Sequence, residues 1–192
     1  MMNHAKFLRQ FILRPTMVGA IAPSSRALAN EMLVTIDFGP KARVCEYGPG
    51  TGGFTEAILA RLDPGATFFA IERSDVLVAA LRGRFPALKL YEGSAHEVER
   101  FAAAEGVEHL DAIVSGLPWA AFPESLQIQI LEATVRALRP GGQMATFAYS
   151  VGLYTRAGRR FHALLPRYFS QITRSRLVLA NLPPAYVFRC VK

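Results

Sequence analysis

The stretch VCEYGPGTGGF, residues 44–54, decides the fold of this 192-residue chain. It begins as a short apolar strand, passes through four glycines within six residues, and continues into an apolar helical pattern. Glycine lets the backbone turn sharply and lets a ligand approach it closely. The N–H groups at the start of the following helix are free to bind a ligand. The stretch therefore predicts a ligand-binding loop between a first strand and a helix.

From residue 43 onward, short apolar runs alternate with helical patterns. The apolar runs predict strands at 43–47, 66–71, 87–91, 110–114 and 143–149, and the intervening patterns predict helices at 54–62, 74–83, 95–104 and 124–138. Two further runs, 172–180 and 185–191, predict a terminal antiparallel pair. This alternation predicts an α/β, Rossmann-like fold with a mostly parallel seven-stranded sheet and helices on both faces.

The composition suits one compact domain. With 51% hydrophobic and 19% charged residues, we expect a single domain over 1–192, with N-terminal lid helices in 1–35 and the Rossmann-like core in 43–192. No apolar run approaches the ~20 residues that span a bilayer, and no signal peptide is evident, so a cytoplasmic location is expected. Cys45 and Cys190 lie in strand-like runs and are expected to be buried free thiols.

The charge is distributed unevenly. The net charge is +7, the last acidic residue is Glu132, and ten Lys/Arg follow it. This basic C-terminal third favours nucleic acid or an anionic membrane as partner, or forms a solvated basic face. Residues 1–14 have the pattern of an amphipathic helix, which either packs on the core or binds a membrane interface. Ser24 or Ser25 is expected to cap a helix that runs to about Val34.

Two ligands fit the glycine loop. Gly48, Gly50 and Gly53 match the dinucleotide fingerprint G-x-G-x-x-G, which is weak when it stands alone. The alternative pattern is E-x-G-x-G-x-G, which starts at Glu46 and ends at Gly52. A carboxylate at the position of Glu46 would repel a pyrophosphate but would orient a cationic aminoacyl group, so the second pattern is favoured.

A second acidic residue, Glu72, ends the next predicted strand, where a carboxylate accepts hydrogen bonds from ribose hydroxyls. With these two acids and the glycines, the chain resembles the class I S-adenosylmethionine-dependent methyltransferases. The resemblance implies S-adenosylmethionine as cofactor and S-adenosylhomocysteine as product. In many such enzymes an Asp after the third strand contacts adenine, and Ser94 stands in its place here. The implied cofactor-binding residues are Ser24, Ser25, Glu46, Gly48, Gly50, Thr51, Gly52, Glu72, Arg73, Ser94, Ala95 and Ser115.

The stretch SGLPW, residues 115–119, follows the fourth predicted strand and contains no acid, base or strong nucleophile. It resembles the N/D-P-P-Y/F and N-L-P-Y elements of amino-methyltransferases, with Ser115 in place of Asn or Asp. The resemblance implies that Ser115 and the Leu117 backbone hold the acceptor amine. Trp119 is expected either to receive the methylated cation over its face or to be a core or rim aromatic. The amine itself is the nucleophile, so alignment of the reactants is the main task of the enzyme.

Two acceptors then remain, an RNA adenine and a phospholipid head-group amine. The chain resembles the soluble bacterial phospholipid N-methyltransferases in its N-terminal stretch 7–26, its glycine loop and the stretch NLPPA at 181–185. That resemblance implies methylation of phosphatidylethanolamine towards phosphatidylcholine at the inner face of the membrane. Arg26 and Tyr149 are candidates to bind the lipid phosphate. Residues 1–14 and the basic C-terminal third are expected to contact the anionic membrane, and no nucleic acid partner is expected. An RNA adenine N6-methyltransferase and a non-catalytic cofactor-binding membrane module are the alternatives.

Overall fold

The computed structural model describes residues 24–192, which contain six α-helices and seven strands. The helices are α1 Arg26–Leu33, α2 Gly53–Leu59, α3 Asp75–Arg84, α4 Val98–Ala104, α5 Glu124–Ala137 and α6 Arg156–Tyr168. The strands are β1 Arg43–Tyr47, β2 Thr67–Glu72, β3 Lys89–Glu92, β4 Leu110–Ser115, β5 Leu138–Tyr149, β6 Gln171–Arg174 and β7 Ala185–Val191. The prediction of an amphipathic helix over residues 1–14 lies outside the described residues.

All seven strands form one sheet in the order β3-β2-β1-β4-β5-β7-β6. The first five strands are mutually parallel, and β7 lies antiparallel between β5 and β6. The strand order reverses beside β1, which pairs with β2 on one side and β4 on the other. In open α/β sheets, ligands bind at such a switch point, outside the carboxyl ends of the strands. The predicted Rossmann-like fold is confirmed.

Helices cover both faces of the sheet because β1 and its neighbours are apolar on both sides. On one face, buried side chains of α1 and α2 pack against Val44 and Val114. On the other face, α4, α5 and α6 pack against Cys45 and Tyr47. Cys45 and Cys190 are buried free thiols, as expected.

Helix α6 was not predicted, because its sequence contains Gly158, Pro166 and a run of arginines. Its apolar residues Phe161, Leu164 and Leu165 nevertheless recur at helical spacing and are buried. The run 172–180 predicted too long a strand, since β6 ends at Arg174. Ser175 ends it: its hydroxyl oxygen accepts a hydrogen bond from Val187 N at 2.9 Å and so replaces a backbone partner in the ladder.

One other difference is local. Residues 139–142, which lie between the predicted helix 124–138 and the predicted strand 143–149, form an irregular part of β5, where the register with β4 shifts between Leu110 and Ala112. Helix α1 begins where expected, with the Ser25 hydroxyl accepting a hydrogen bond from Leu28 N. Over residues 24–192, no helix has the length and apolar character needed to cross a membrane.

Candidate active site

The glycine loop joins the carboxyl end of β1 to the start of α2, at the switch point of the sheet. Gly48, Gly50 and Gly52 have φ of +63°, +61° and +89°, which L side chains rarely adopt. At Gly52 the packing forbids a side chain as well, because a Cβ there would lie 2.5 Å from the Phe85 ring. At Gly50 a Cβ would meet only Gly48 O, at 3.9 Å. The loop is therefore closely packed at Gly52 and open at Gly50, as a surface that receives a ligand requires.

Glu46 lies on β1 directly before this loop and is completely buried. Its Oε2 accepts a hydrogen bond from the Thr55 hydroxyl at 2.7 Å, whereas Oε1 has no partner among residues 24–192. Burial, and secondarily the negative charge of Glu72, raise the pKa of the Glu46 carboxyl to about 8. A buried carboxyl oxygen without a partner costs free energy. A cationic ligand group at this oxygen would relieve that cost and would favour the ionised form.

Glu72 ends β2 and lies against the same loop. Its Oε1 accepts hydrogen bonds from the N–H groups of Arg73 and Ser74 at 2.8 and 2.9 Å, and its Oε2 accepts one from Gly50 N at 3.2 Å. A carboxylate offers about four acceptor positions, so three are already occupied. The carboxylate is thus fixed in place before any ligand arrives, and it retains less capacity for ribose hydroxyls than the sequence predicted.

Ser94 and Ala95 follow β3 and begin a short 3-10 turn. Ser94 N donates to the Glu97 carboxylate at 2.9 Å, which holds this turn in place. A cavity of about 490 Å³ opens beside it, within the range of small-ligand sites. Arg73 from the end of β2 and the first turn of α5 complete its wall; the lining residues are Arg73, Gly93, Ser94, His96, Glu97, Pro123, Ser125, Leu126 and Gln129. The structure thus brings Arg73 and Ser94 to the wall of one cavity, and their contact with the cofactor stays a prediction.

The stretch 115–119 lies at the carboxyl end of β4, next to the glycine loop. Gly116 N donates to Tyr47 O at 2.8 Å, and a Cβ on Gly116 would lie 2.6 Å from Gly48 O, so only glycine allows this approach. Ser115 is buried, and its hydroxyl has no partner among residues 24–192. Leu117 O accepts a hydrogen bond from Trp119 N, and the second lone pair of this carbonyl oxygen is available to a ligand. Ser115 and Leu117 therefore retain acceptor capacity beside the glycine loop.

The expectation that Trp119 covers the methylated cation is wrong. The indole is only 3% exposed and stacks on Phe161 of α6, with ring centroids 4.3 Å apart. Its Nε1 donates to the Thr146 hydroxyl at 2.9 Å. The alternative expectation, a core aromatic, describes Trp119 correctly. Its stacking partner Phe161 lies on α6, which the sequence did not predict, so the burial of Trp119 could not be foreseen.

The N-terminal and C-terminal stretches singled out by the sequence meet at this edge of the sheet. Ser25 N donates to Asn181 Oδ1 at 2.9 Å. Ser24 lies against the glycine loop, with its carbonyl oxygen 3.5 Å from where a Cβ on Gly53 would be. Tyr149 pairs with Ala185 in the sheet. Segments distant in sequence thus surround the space beyond β1, β4 and β5.

The two candidate phosphate ligands are placed differently. Arg26 is exposed on the first turn of α1. Tyr149 is partly buried, with its ring edge-on to Phe147, and burial raises the pKa of its hydroxyl to about 12. Tyr149 therefore stays a neutral hydrogen-bond donor at any physiological pH. Their binding of a phosphate stays a prediction.

Thr55 is a site residue that the sequence reasoning missed. It is buried in the first turn of α2 and holds the Glu46 carboxyl. The signal available was its position three residues after Gly52, where a hydroxyl on the inner side of the helix faces the preceding strand. Thr51, by contrast, is exposed, and its carbonyl accepts a hydrogen bond from Arg84 at 2.6 Å.

Comparison with known proteins agrees with this geometry. A family model described as a methyltransferase domain matches residues 44–142, from β1 into β5. The chain belongs to this methyltransferase family. An O-methyltransferase from Bacillus cereus, solved in complex with S-adenosylhomocysteine, superposes with a TM-score of 0.68 at 15% identity over 95% of this chain and 90% of that one. The fold is therefore shared well beyond detectable sequence similarity.

Two curated relatives of this methyltransferase differ in how much of it they match. It is 29% identical over 187 residues to an ornithine lipid N-methyltransferase from Singulisphaera acidiphila, covering 96% of this chain and 93% of the relative. A ribosomal RNA small subunit methyltransferase A from Burkholderia ambifaria is 36% identical over 93 residues, covering 47% of this chain and 34% of the relative. The first match extends over nearly the whole chain, whereas the second is confined to about half of it.

S-adenosylmethionine is the cofactor of this methyltransferase, and the residues present fit it. The unpaired Oε1 of Glu46 suits a cationic amine, the open glycine at 50 suits close approach of a ligand, and the cavity beside Ser94 has room for part of a small ligand. Glu72 would contact the ribose through its remaining acceptor position. When bound, the cofactor supplies an electrophilic methyl group on a sulfonium sulfur.

Proposed function

We propose that this methyltransferase methylates the head-group amine of a membrane lipid. The observation that carries the proposal is the pair of unengaged acceptors beside the glycine loop, the Ser115 hydroxyl and the second lone pair of Leu117 O. An amine acceptor has N–H groups to donate to such oxygens. No titratable side chain is contributed by residues 115–119, and none is needed, because an amine nitrogen brings its own lone pair.

The chain's own residues would act by binding and desolvation. A protonated aliphatic amine loses its proton more readily when it leaves water, because burial disfavours the charged form. Ser115 and Leu117 would then orient the neutral amine by accepting its hydrogens. Positioning of this kind contributes roughly 7–11 kcal/mol to catalysis of a bimolecular reaction.

The lipid acceptor is favoured over RNA by the extent of similarity. The relative named as an ornithine lipid N-methyltransferase matches over 96% of this chain and 93% of its own length. The relative named for ribosomal RNA matches a part of the chain only. Phosphatidylethanolamine and an ornithine lipid both present a primary amine near an anionic group, phosphate in the first and carboxylate in the second. Phosphatidylethanolamine is the acceptor we propose, and ornithine lipid is the alternative that the relative's name supports.

The test offers labelled S-adenosylmethionine to the protein with three acceptors in parallel: vesicles containing phosphatidylethanolamine, vesicles containing an ornithine lipid, and bulk RNA. We expect label in lipid and none in RNA, and we expect phosphatidylethanolamine to be labelled faster than ornithine lipid. Faster labelling of ornithine lipid would replace the proposed acceptor within the lipid class. Label in RNA alone would overturn the proposal, and label in no acceptor would favour a non-catalytic module.

A further inference from the structure

Four large apolar side chains are exposed on two loops at the carboxyl edge of β5. They are Val151 and Tyr154 in the turn after β5, and Leu179 and Leu182 between β6 and β7, with exposed fractions of 65, 80, 74 and 71%. A single exposed apolar residue needs no explanation. Four on two adjoining loops form an apolar surface of the kind that marks an interaction site. We call these four residues the rim patch.

One hydrogen bond joins the two loops, and a second one closes the loop between β6 and β7. Ser150 N donates to Pro184 O at 2.8 Å, and Val178 N donates to Ala185 O at 2.8 Å. Asn181, between the two leucines, accepts from Ser25 N. Through these contacts the rim patch is fixed at the edge of the sheet where Ser115 and the glycine loop lie.

Exposed arginines flank the rim patch. Arg156 and Arg159 follow Tyr154 on α6, and Arg176 precedes Leu179. Arg159 Nη1 donates to Tyr154 O at 3.1 Å, so this guanidinium lies directly against the turn. Within residues 24–192 none of the three forms an ion pair with a carboxylate. Residues 1–23 contain no Asp or Glu either.

We propose that the rim patch inserts into the surface of an anionic lipid bilayer, with Arg156, Arg159 and Arg176 at the level of the lipid phosphates. Apolar side chains surrounded by cations match the chemistry of the membrane interface, where apolar groups enter the acyl boundary and basic residues are attracted to anionic head groups. A second copy of the chain is a poor occupant, because the same positive charge would face itself. This inference rests on the proposed function, since docking here would turn the amine site towards the lipid head groups.

The test is vesicle flotation of the protein without cofactor. The double variant Tyr154→Ser/Leu179→Ser removes one side chain from each loop, and neither residue belongs to the candidate active site. The matched control is Val34→Ser, a valine that is 67% exposed at the end of α1. The hydroxyl of its neighbour Thr35 donates a hydrogen bond to Gln143, which lies in the first half of β5. Val34 is therefore at the amino-terminal edge of the parallel strands, opposite the rim patch.

With vesicles containing phosphatidylglycerol, we expect the double variant to bind at least tenfold more weakly than wild type, since full burial of a single Leu side chain already contributes about that factor. We expect Val34→Ser to bind like wild type, and Arg156→Gln/Arg176→Gln to lose most of the salt dependence. Unchanged binding of the double variant, with a thermal unfolding midpoint equal to that of wild type, would overturn the proposal. Equal binding of wild type to uncharged phosphatidylcholine vesicles would also overturn it. So would a wild-type dimer in light scattering that the double variant fails to form while it still binds vesicles.

Methyl transfer distinguishes this inference from the proposed function. A double variant that methylates soluble short-chain phosphatidylethanolamine at the wild-type rate, and vesicles more slowly, would support both. Equal rates on vesicles would overturn docking and leave the function standing. Flotation through the rim patch without methylation of any lipid would support docking and overturn the function.

Discussion

The two halves of the candidate active site, one beyond β1 and β2 and the other beyond β4 and β5, present different chemical groups. Beyond β1 and β2, two carboxyl groups are fixed by hydrogen bonds to Thr55 and to three backbone N–H groups. Beyond β4 and β5, the groups are a hydroxyl, backbone carbonyls and aromatic rings. A cofactor that carries positive charge requires fixed negative charge. An acceptor that must lose its proton is better served by a neutral, desolvated site.

The comparison predicts that Trp119 belongs to the framework of the acceptor half and not to its chemistry. Trp119→Ala should lower the free energy of unfolding by about 3–5 kcal/mol, the usual cost of removing a buried aromatic. Trp119→Phe keeps an aromatic ring against Phe161, loses the hydrogen bond to Thr146, and should cost about 1–3 kcal/mol. Thermal unfolding measures both. A stable Trp119→Ala protein with a raised KM for lipid would restore the cation-covering role.

In the half beyond β1 and β2, substitution of Glu46 should have the largest effect on cofactor affinity. Glu46→Gln should weaken S-adenosylmethionine binding roughly 100-fold, because a hydrogen bond to a charged group contributes about 1.5–3 kcal/mol. Calorimetry measures the affinity. Glu56→Gln is the control, since Glu56 is exposed on α2 and pairs with Arg84. Equal losses in the two variants would show that the effect is not specific to the buried carboxyl.

The raised pKa of Glu46 predicts that cofactor affinity and the free energy of unfolding change with pH in opposite directions. Glu46 has a pKa of about 8 in the folded, cofactor-free protein against 4.5 ordinarily. Below pH 8 it must release a proton to bind a cation, so affinity should rise up to about tenfold per pH unit towards pH 8 and then level off. The unfolded chain loses this proton near pH 4.5, so the free energy of unfolding should fall as pH rises from about 4.5 to 8. Glu46→Gln should remove both of these contributions, and wild-type binding that is flat from pH 6 to 8 would refute the assignment.

Substitution of Glu72 should weaken cofactor binding less than substitution of Glu46, because backbone N–H groups already occupy three of its acceptor positions. Glu72→Gln should weaken cofactor binding about tenfold, partly by replacing an acceptor that fixes Gly50 N. Glu92→Gln is the matched control, since Glu92 is exposed and stands opposite Glu72 in the sheet register. Unchanged affinity of Glu72→Gln in calorimetry would remove Glu72 from the cofactor site.

The smallest effect is expected at Ser115. Ser115→Ala removes a buried hydroxyl without a partner, so stability should stay within about 1 kcal/mol of wild type or rise slightly. The methylation rate should fall about tenfold if the hydroxyl orients the amine. Steady-state kinetics on lipid vesicles, with a melting curve as control, separates the two effects. An unchanged rate would leave the Leu117 carbonyl as the amine ligand.

The sequence predicted the cofactor half better than the acceptor half, for a physical reason. Gly48, Gly50, Glu46 and the end of β2 are close in sequence to the strands that position them, so local patterns placed them correctly. Trp119 is buried by Phe161, which is 42 residues away on a helix whose sequence contains Gly158 and Pro166. No local pattern indicates such a contact. The meeting of Ser25 with Asn181 was likewise visible only in the folded chain.

The most direct test of the account is to identify the methylated atom. Wild type and Glu46→Gln are incubated with S-adenosylmethionine and vesicles containing phosphatidylethanolamine, and the extracted lipids are analysed by tandem mass spectrometry. The account predicts one or more added methyl groups on the head-group nitrogen with wild type, and almost none with Glu46→Gln. Methyl groups on oxygen, or no lipid product from a protein that binds the cofactor, would contradict it.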